Sequence, residues 1–357
     1  MKMLSAKRID WPFYKRILMV ALPIIIQNGI TNFVALLDNV MVGQVGTVQM
    51  SGVAIVNQLM FVFNLCVFGA TSGAGIFTAQ FYGSGNEKGI RDTFRFKFLV
   101  AILLATAGIG IFLAAGDVLI GLYLEGDPGS PEALETLRYG KEYLLAALFG
   151  LVPFALGNAY SGTLREIGET TVPMKAGIAA VFVNLLLNYV LIFGHFGAPE
   201  MGVVGAAVAT VISRYVELAM VAIWTHTNRK RCPFIVGAYR SLRIPMDLTK
   251  KIISKGMPLL VNEFFWSTGM ALLSQCYSTR GLAVVAAFNI ATTISQVSNV
   301  VFLSLGNAVG ILMGQMLGAG IPEAEIRRDN RRMIGMSVAV CFVIGGLVVA
   351  LSGLFPK

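Results

Sequence analysis

Four ionisable residues stand well inside long apolar stretches of this chain: Asp38, Arg214, Glu217 and Glu263. A charge at the centre of a bilayer costs about 2.5–3.5 kcal/mol on insertion scales, so each needs a partner or a task. Asp38 shares a helical face with Gln27 and Thr31, and Asn28, Asn32 and Asn39 lie one step round. A carboxylate on such a polar stripe can take up a cation and release it. The plainer reading is an interfacial aspartate at a helix end. Arg214 and Glu217 stand three apart, a spacing at which helix neighbours pair. They read first as a buried ion pair and second as an ion or gating site. Glu263 follows Asn262, precedes Trp266 by one turn and has no base near it in sequence. It either binds a cation or proton, or pairs with another helix.

Uncharged polar residues also line faces. Asn57, Asn64 and Thr71 recur every seven residues, Thr292, Asn299 and Gly306 do the same further on, and Asn184 and Asn188 are one turn apart. Singly they are weak glue between helices. Together they predict a partly hydrated cavity. Enzyme chemistry is not indicated. The two histidines, His195 and His226, fall on opposite sides of the expected membrane, so no histidine metal cluster forms, and no GxxxxGK[ST] phosphate loop occurs. No cofactor is expected, and Asp38 is where a coupling cation would bind.

The elements that must position these groups are nine apolar runs, roughly 17–41, 52–81, 98–122, 139–163, 172–194, 202–226, 250–278, 282–316 and 333–354. The chain is 56% hydrophobic and 13% charged, against about 25% charged in soluble domains. The runs are long rather than alternating, which points to helices and away from a strand barrel. Pro23, Gly75, Gln80, Gly83 and Gly85 recur as Pro258, Gly310, Gln315, Gly318 and Gly320, each 235 residues later. An even number of spans separates the copies, so the repeat is parallel. The fold expectation is an all-α membrane protein, a polytopic helical bundle of two parallel pseudo-repeats. Residues 1–226 form a six-helix lobe, 227–249 a cytoplasmic linker, and 250–357 a second, incomplete lobe of three helices, as though truncated after the ninth span. Pro23 and Pro258 each remove a backbone donor and are expected to kink their helices.

The net charge of +9 reports topology rather than nucleic acid. Lys2, Lys7, Arg8, Lys15 and Arg16 precede the first span. Lys88, Arg91, Arg95 and Lys97 are read as the loop between spans two and three, Arg229 to Lys255 as the basic stretch between spans six and seven, and Arg327 to Arg332 as the loop before span nine. The alternate loops are nearly free of base, and the one after span three is acidic, with Glu125, Asp127, Glu132 and Glu135. This pattern places the N-terminus in the cytoplasm. The four cysteines suggest no disulfide framework.

LDNVMVGQVG at 37–46, AQFYGSGNEKGIRD at 79–92, GTLREIGETTVPM at 162–174 and VNLLLNYVLIFG at 183–194 resemble the multidrug and toxic compound extrusion (MATE) family. The resemblance implies two six-helix lobes around a cleft. It implies export of small organic, often cationic, compounds in exchange for sodium ions or protons, by a monomer in an inner or plasma membrane. By position, Asp38 matches the first-helix carboxylate implicated in cation coupling, and Asn158, Asn184 and Asn188 match residues of the same lobe's cavity. Proton-coupled members often carry Asp where Asn188 stands. Sodium-coupled members often carry Glu where Trp266 stands, with Glu263 one turn earlier, so the ion stays open. Rival readings are a flippase for lipid-linked precursors, which would want more Arg and Lys inside the spans than Arg214 alone, and a non-transporting remnant.

Overall fold

The computed structural model describes residues 11–124, 130–278 and 282–351. Lys2, Lys7, Arg8, Glu125, Asp127 and the side chains of Glu263 and Thr292 lie outside the described residues. Ten α-helices follow one another: α1 (Trp11–Gly43), α2 (Thr47–Gly83), α3 (Glu87–Gly121), α4 (Pro131–Ala147), α5 (Leu151–Glu166), α6 (Thr171–Phe193), α7 (Gly202–Thr227), α8 (Met246–Ser278), α9 (Leu282–Gly318) and α10 (Glu323–Leu351). No strand occurs among the described residues.

The helices start and stop where local chemistry dictates. Asn86 accepts the Gly89 N–H at 2.9 Å and caps α3. Ser130 does the same for α4, with Pro131 at its first position. The α2–α3 and α9–α10 turns each need a left-handed residue, supplied by Gly85 (φ 68°) and its repeat mate Gly320 (φ 66°). The expected fourth span is two helices, α4 and α5, joined by a 3₁₀ turn at Leu148–Gly150. Pro153 cannot donate to the carbonyl of Phe149, which loosens the helix there. α4 and α5 still run on as one span.

Eight stretches of described helix are long and apolar enough to cross a membrane. Only α8 falls short, although it is as long as its repeat mate α1, because Asp247, Lys250, Lys251, Lys255 and Glu263 dilute its apolar surface. With helices of this length and hydropathy, the chain is a multi-pass membrane protein.

The two copies meet where α2 crosses α9. A Cβ on Gly83 would lie 1.9 Å from the Gln315 carbonyl oxygen, and one on Gly318 would lie 1.8 Å from that of Gln80. These contacts exchange with each other under the 235-residue repeat, the mark of a pseudo-two-fold axis. Ala79 and Gly314, themselves repeat mates, touch on that axis, where a Cβ on Gly314 would come 2.7 Å from the Ala79 Cβ. Only glycine allows the backbones so close.

The segment after α7 is docked rather than loose. Phe234, Ile235, Cys232 and Ala238 are buried against α3 and α5. Arg91 donates to the Phe234 carbonyl, and Arg95 to the carbonyls of Ala238 and Gly237 at 2.7 and 2.8 Å. Burial pushes the Cys232 thiol up to about 12.

Candidate functional site

Asp38 lies near the end of α1 away from the α2–α9 crossing. Asn188 of α6 donates its amide to the Asp38 carboxylate at 2.6 Å. Asn184, one turn earlier on α6, faces the same carboxylate. With its amide nitrogen turned toward Asp38 it donates at 3.0 Å, and its oxygen accepts from the Thr210 hydroxyl of α7 at 3.3 Å. That orientation follows from electrostatics, since an amide oxygen set against a carboxylate would repel it. The Asn188 side-chain oxygen is buried and has no hydrogen-bond partner.

Two cavities meet at this carboxylate. One, about 110 Å³, is lined by Thr31, Asp38, Asn184, Thr210, Arg214 and Glu217 among others. The other, about 410 Å³, is lined by Asp38, Asn57, Asn64, Tyr143, Asn188 and Arg214 among others. Tyr143 donates to Asn57 at 3.3 Å on its wall. Arg214 pairs with Glu217 at 3.1 Å and lies over the Phe154 ring at 5.2 Å. Their side chains are 34% and 17% exposed, so the pair is half-buried and borders the cavity.

Gln27 and Asn158 do not join this cluster. Gln27 accepts from Arg165 at 2.8 Å, and Asn158 donates to the Phe154 carbonyl at 3.0 Å. Asn158 lines a third cavity, about 400 Å³, with Lys97, Arg165, Glu166 and Asn307. Here the sequence reading needs correction. Lys97 is no loop residue: it sits ten residues into α3, fully buried, and pairs with Glu166 at the end of α5. Thr163 accepts a further bond from Lys97 at 3.3 Å. Lys97, Arg165 and Glu166, none of them expected inside a span, therefore meet within the helix bundle. The Asn86 cap was the available signal, because a helix starting at Glu87 carries Lys97 almost three turns in. Gln315 of the second copy donates to the Glu166 carbonyl at 2.7 Å and ties this network across the axis.

Pro23 and Pro258 sit inside α1 and α8, which run through them unbroken. Pro23 deprives the Met19 carbonyl of its helical donor, and the Thr170 hydroxyl donates to that carbonyl instead, at 3.3 Å.

The MatE family model matches residues 23–190, a span that holds Asp38, Asn158, Asn184 and Asn188. A probable multidrug resistance protein NorM of Thermotoga maritima is 31% identical over 317 residues, 87% of this chain and 64% of the relative. The chain belongs to the MatE family. Another MatE relative, the multidrug resistance protein MdtK of Edwardsiella ictaluri, is 26% identical over 95% of this chain and 73% of its own length. The MatE fold extends to solved structures. A multidrug resistance MATE family transporter in an outward-facing conformation superposes with a TM-score of 0.83 at 22% identity, covering 96% of this chain and 72% of that one. The chain spans about two thirds of the length of the curated MatE relatives it matches.

Proposed function

We propose that this chain acts as a secondary active transporter that exports small organic, often cationic, compounds in exchange for a sodium ion or a proton. The observation that carries the reading is a half-buried carboxylate, Asp38, held by the amides of Asn188 and Asn184 at the junction of two cavities. Amide donors orient a carboxylate without neutralising it, so the charge stays available to a cation. The gradient can do the work: one charge moved across 100 mV supplies about 2.3 kcal/mol.

The working position is a cell inner or plasma membrane with the N-terminus in the cytoplasm, because Arg91, Arg95, Arg327 and Arg328 flank the α2–α9 crossing end. The tight Gly83 and Gly318 contacts then close the cytoplasmic side, and the cavities at Asp38 face outward. The protein works as a monomer in this reading, with Asp38 and Glu263 as cation-coupling residues of the two copies.

Substrate uptake into vesicles, with sodium and pH gradients imposed separately, tests the proposal. Asp38→Asn should abolish gradient-driven exchange. Exchange at the native rate would sink it. A flippase for lipid-linked precursors is the second reading, favoured by Lys97 and Arg165 on one cavity wall. Lys97 is already paired with Glu166, which weakens it. Binding of lipid-linked sugars in place of cationic dyes would decide for it.

A further inference from the structure

We propose that Arg214 is a resident cation that competes with the coupling ion for Asp38. The inference rests on the transporter reading above and adds a residue to it. Asp38, Arg214 and Glu217 are the charged residues that line the 110 Å³ cavity. Two carboxylates and one guanidinium leave one negative charge there, so a single monovalent cation restores neutrality. A charge uncompensated in a membrane interior is expensive, and the cavity is therefore poised to take one ion and no more.

The guanidinium is placed to serve either carboxylate. It bonds Glu217 through one nitrogen at 3.1 Å, a single contact rather than a two-pronged clamp. It borders both cavities that contain Asp38. Its other restraint is the Phe154 face, a cation–π contact that permits sliding across the ring. α7 also carries Thr210, whose hydroxyl meets Asn184, so movement of Arg214 is felt at the amides that hold Asp38. With the ion absent, Arg214 leans toward Asp38 and keeps the empty site from holding a bare charge. With the ion present, Glu217 retains the guanidinium. Release then becomes easier, because the departing ion has a replacement at hand.

The test uses the full chain in lipid nanodiscs and two probes. One is the dissociation constant for radiolabelled sodium at neutral pH. The other is the proton-binding midpoint of the carboxyl infrared band that Asp38→Asn removes. Arg214→Gln should tighten whichever ion binds by about tenfold and slow its release, while Glu217→Gln should weaken it by about tenfold. The deciding variant removes both: Arg214→Gln/Glu217→Gln should bind like Arg214→Gln. If it binds like the native chain, the pair contributes only a fixed field and the proposal is wrong. Loss of binding in both single variants would mark the pair as structural and also overturn it. Arg214→Lys keeps a mobile cation and should stay within about twofold of native. Should Asp38→Asn leave both probes unchanged, the transporter reading of Asp38 falls and takes this proposal with it. If Asp38→Asn abolishes binding while Arg214→Gln changes nothing, only the present inference falls.

Discussion

The two ends of the first copy's helices solve one problem in opposite ways. Each must keep a carboxylate inside a membrane. Around Asp38 the chain uses amides, half exposure and a cavity, and leaves the carboxylate hydrogen-bonded but not directly ion-paired. Around Glu166 it uses a fully buried lysine, with Thr163 and Arg165 in attendance and Gln315 reaching in from the second copy. The first arrangement leaves a charge open to a cavity. The second spends its charges on each other and behaves as a rivet. Ionisable groups in a span thus do not by themselves mark an ion site; what surrounds them decides.

The largest effect should come from breaking the rivet. Lys97→Met leaves Glu166 buried without its cation and should destabilise the chain by about 3–5 kcal/mol, measured as denaturation midpoint in detergent. Adding Glu166→Gln should recover most of that loss. If Lys97→Met alone is harmless, the contrast between the two ends disappears. Next in size is the crossing. Gly318→Leu places a side chain against the Gln80 backbone and should cost about 1–3 kcal/mol or force α2 and α9 apart, read by cysteine cross-linking between their ends. Asp38→Asn should sharpen the comparison from the other side. It should change stability by less than about 1 kcal/mol, because an amide can replace the carboxylate in that hydrogen-bonded setting. Thr170→Val should cost about 1 kcal/mol by orphaning the Met19 carbonyl.

The smallest effect concerns the docked linker. The Cys232 thiol sits up at about 12, so its neutral form is favoured on folding. Maleimide at mildly alkaline pH should spare it in the native chain and label it after unfolding in detergent. Its contribution to linker docking is present below its ordinary value of 9.0 and fades as pH rises toward about 12.

Much of the fold could be read in the sequence, because hydropathy and a fixed repeat are signals carried along the chain. The Pro23 and Pro258 helices, the Gly85 and Gly320 turns and the order of the apolar spans needed no contact information. The partnerships did. Asn188 meets Asp38 from 150 residues away, and Lys97 meets Glu166 from 69 residues away. Neither distance has a periodic signature. Asp38 with Asn184 and Asn188 drew notice because polar groups stand out against apolar runs. Lys97 was hidden because it sits beside Lys88, Arg91 and Arg95, where a basic residue looks like part of a loop. Gln27 and Thr31 share a face with Asp38, yet an α-helix rises 1.5 Å per residue, and eleven residues carry Gln27 about 16 Å away to the other network.

Ala79 and Gly314 lie on the line about which one copy turns into the other. They sit at one end of that line, where the halves touch, and a contact at one end travels least when the halves tilt about it. The glycine crossing can therefore stay in contact while everything far from it sweeps outward. About 10° of tilt would open a gap of about 5 Å at the opposite face of a hydrocarbon layer about 30 Å thick. A fulcrum made of missing side chains would give the molecule a long lever.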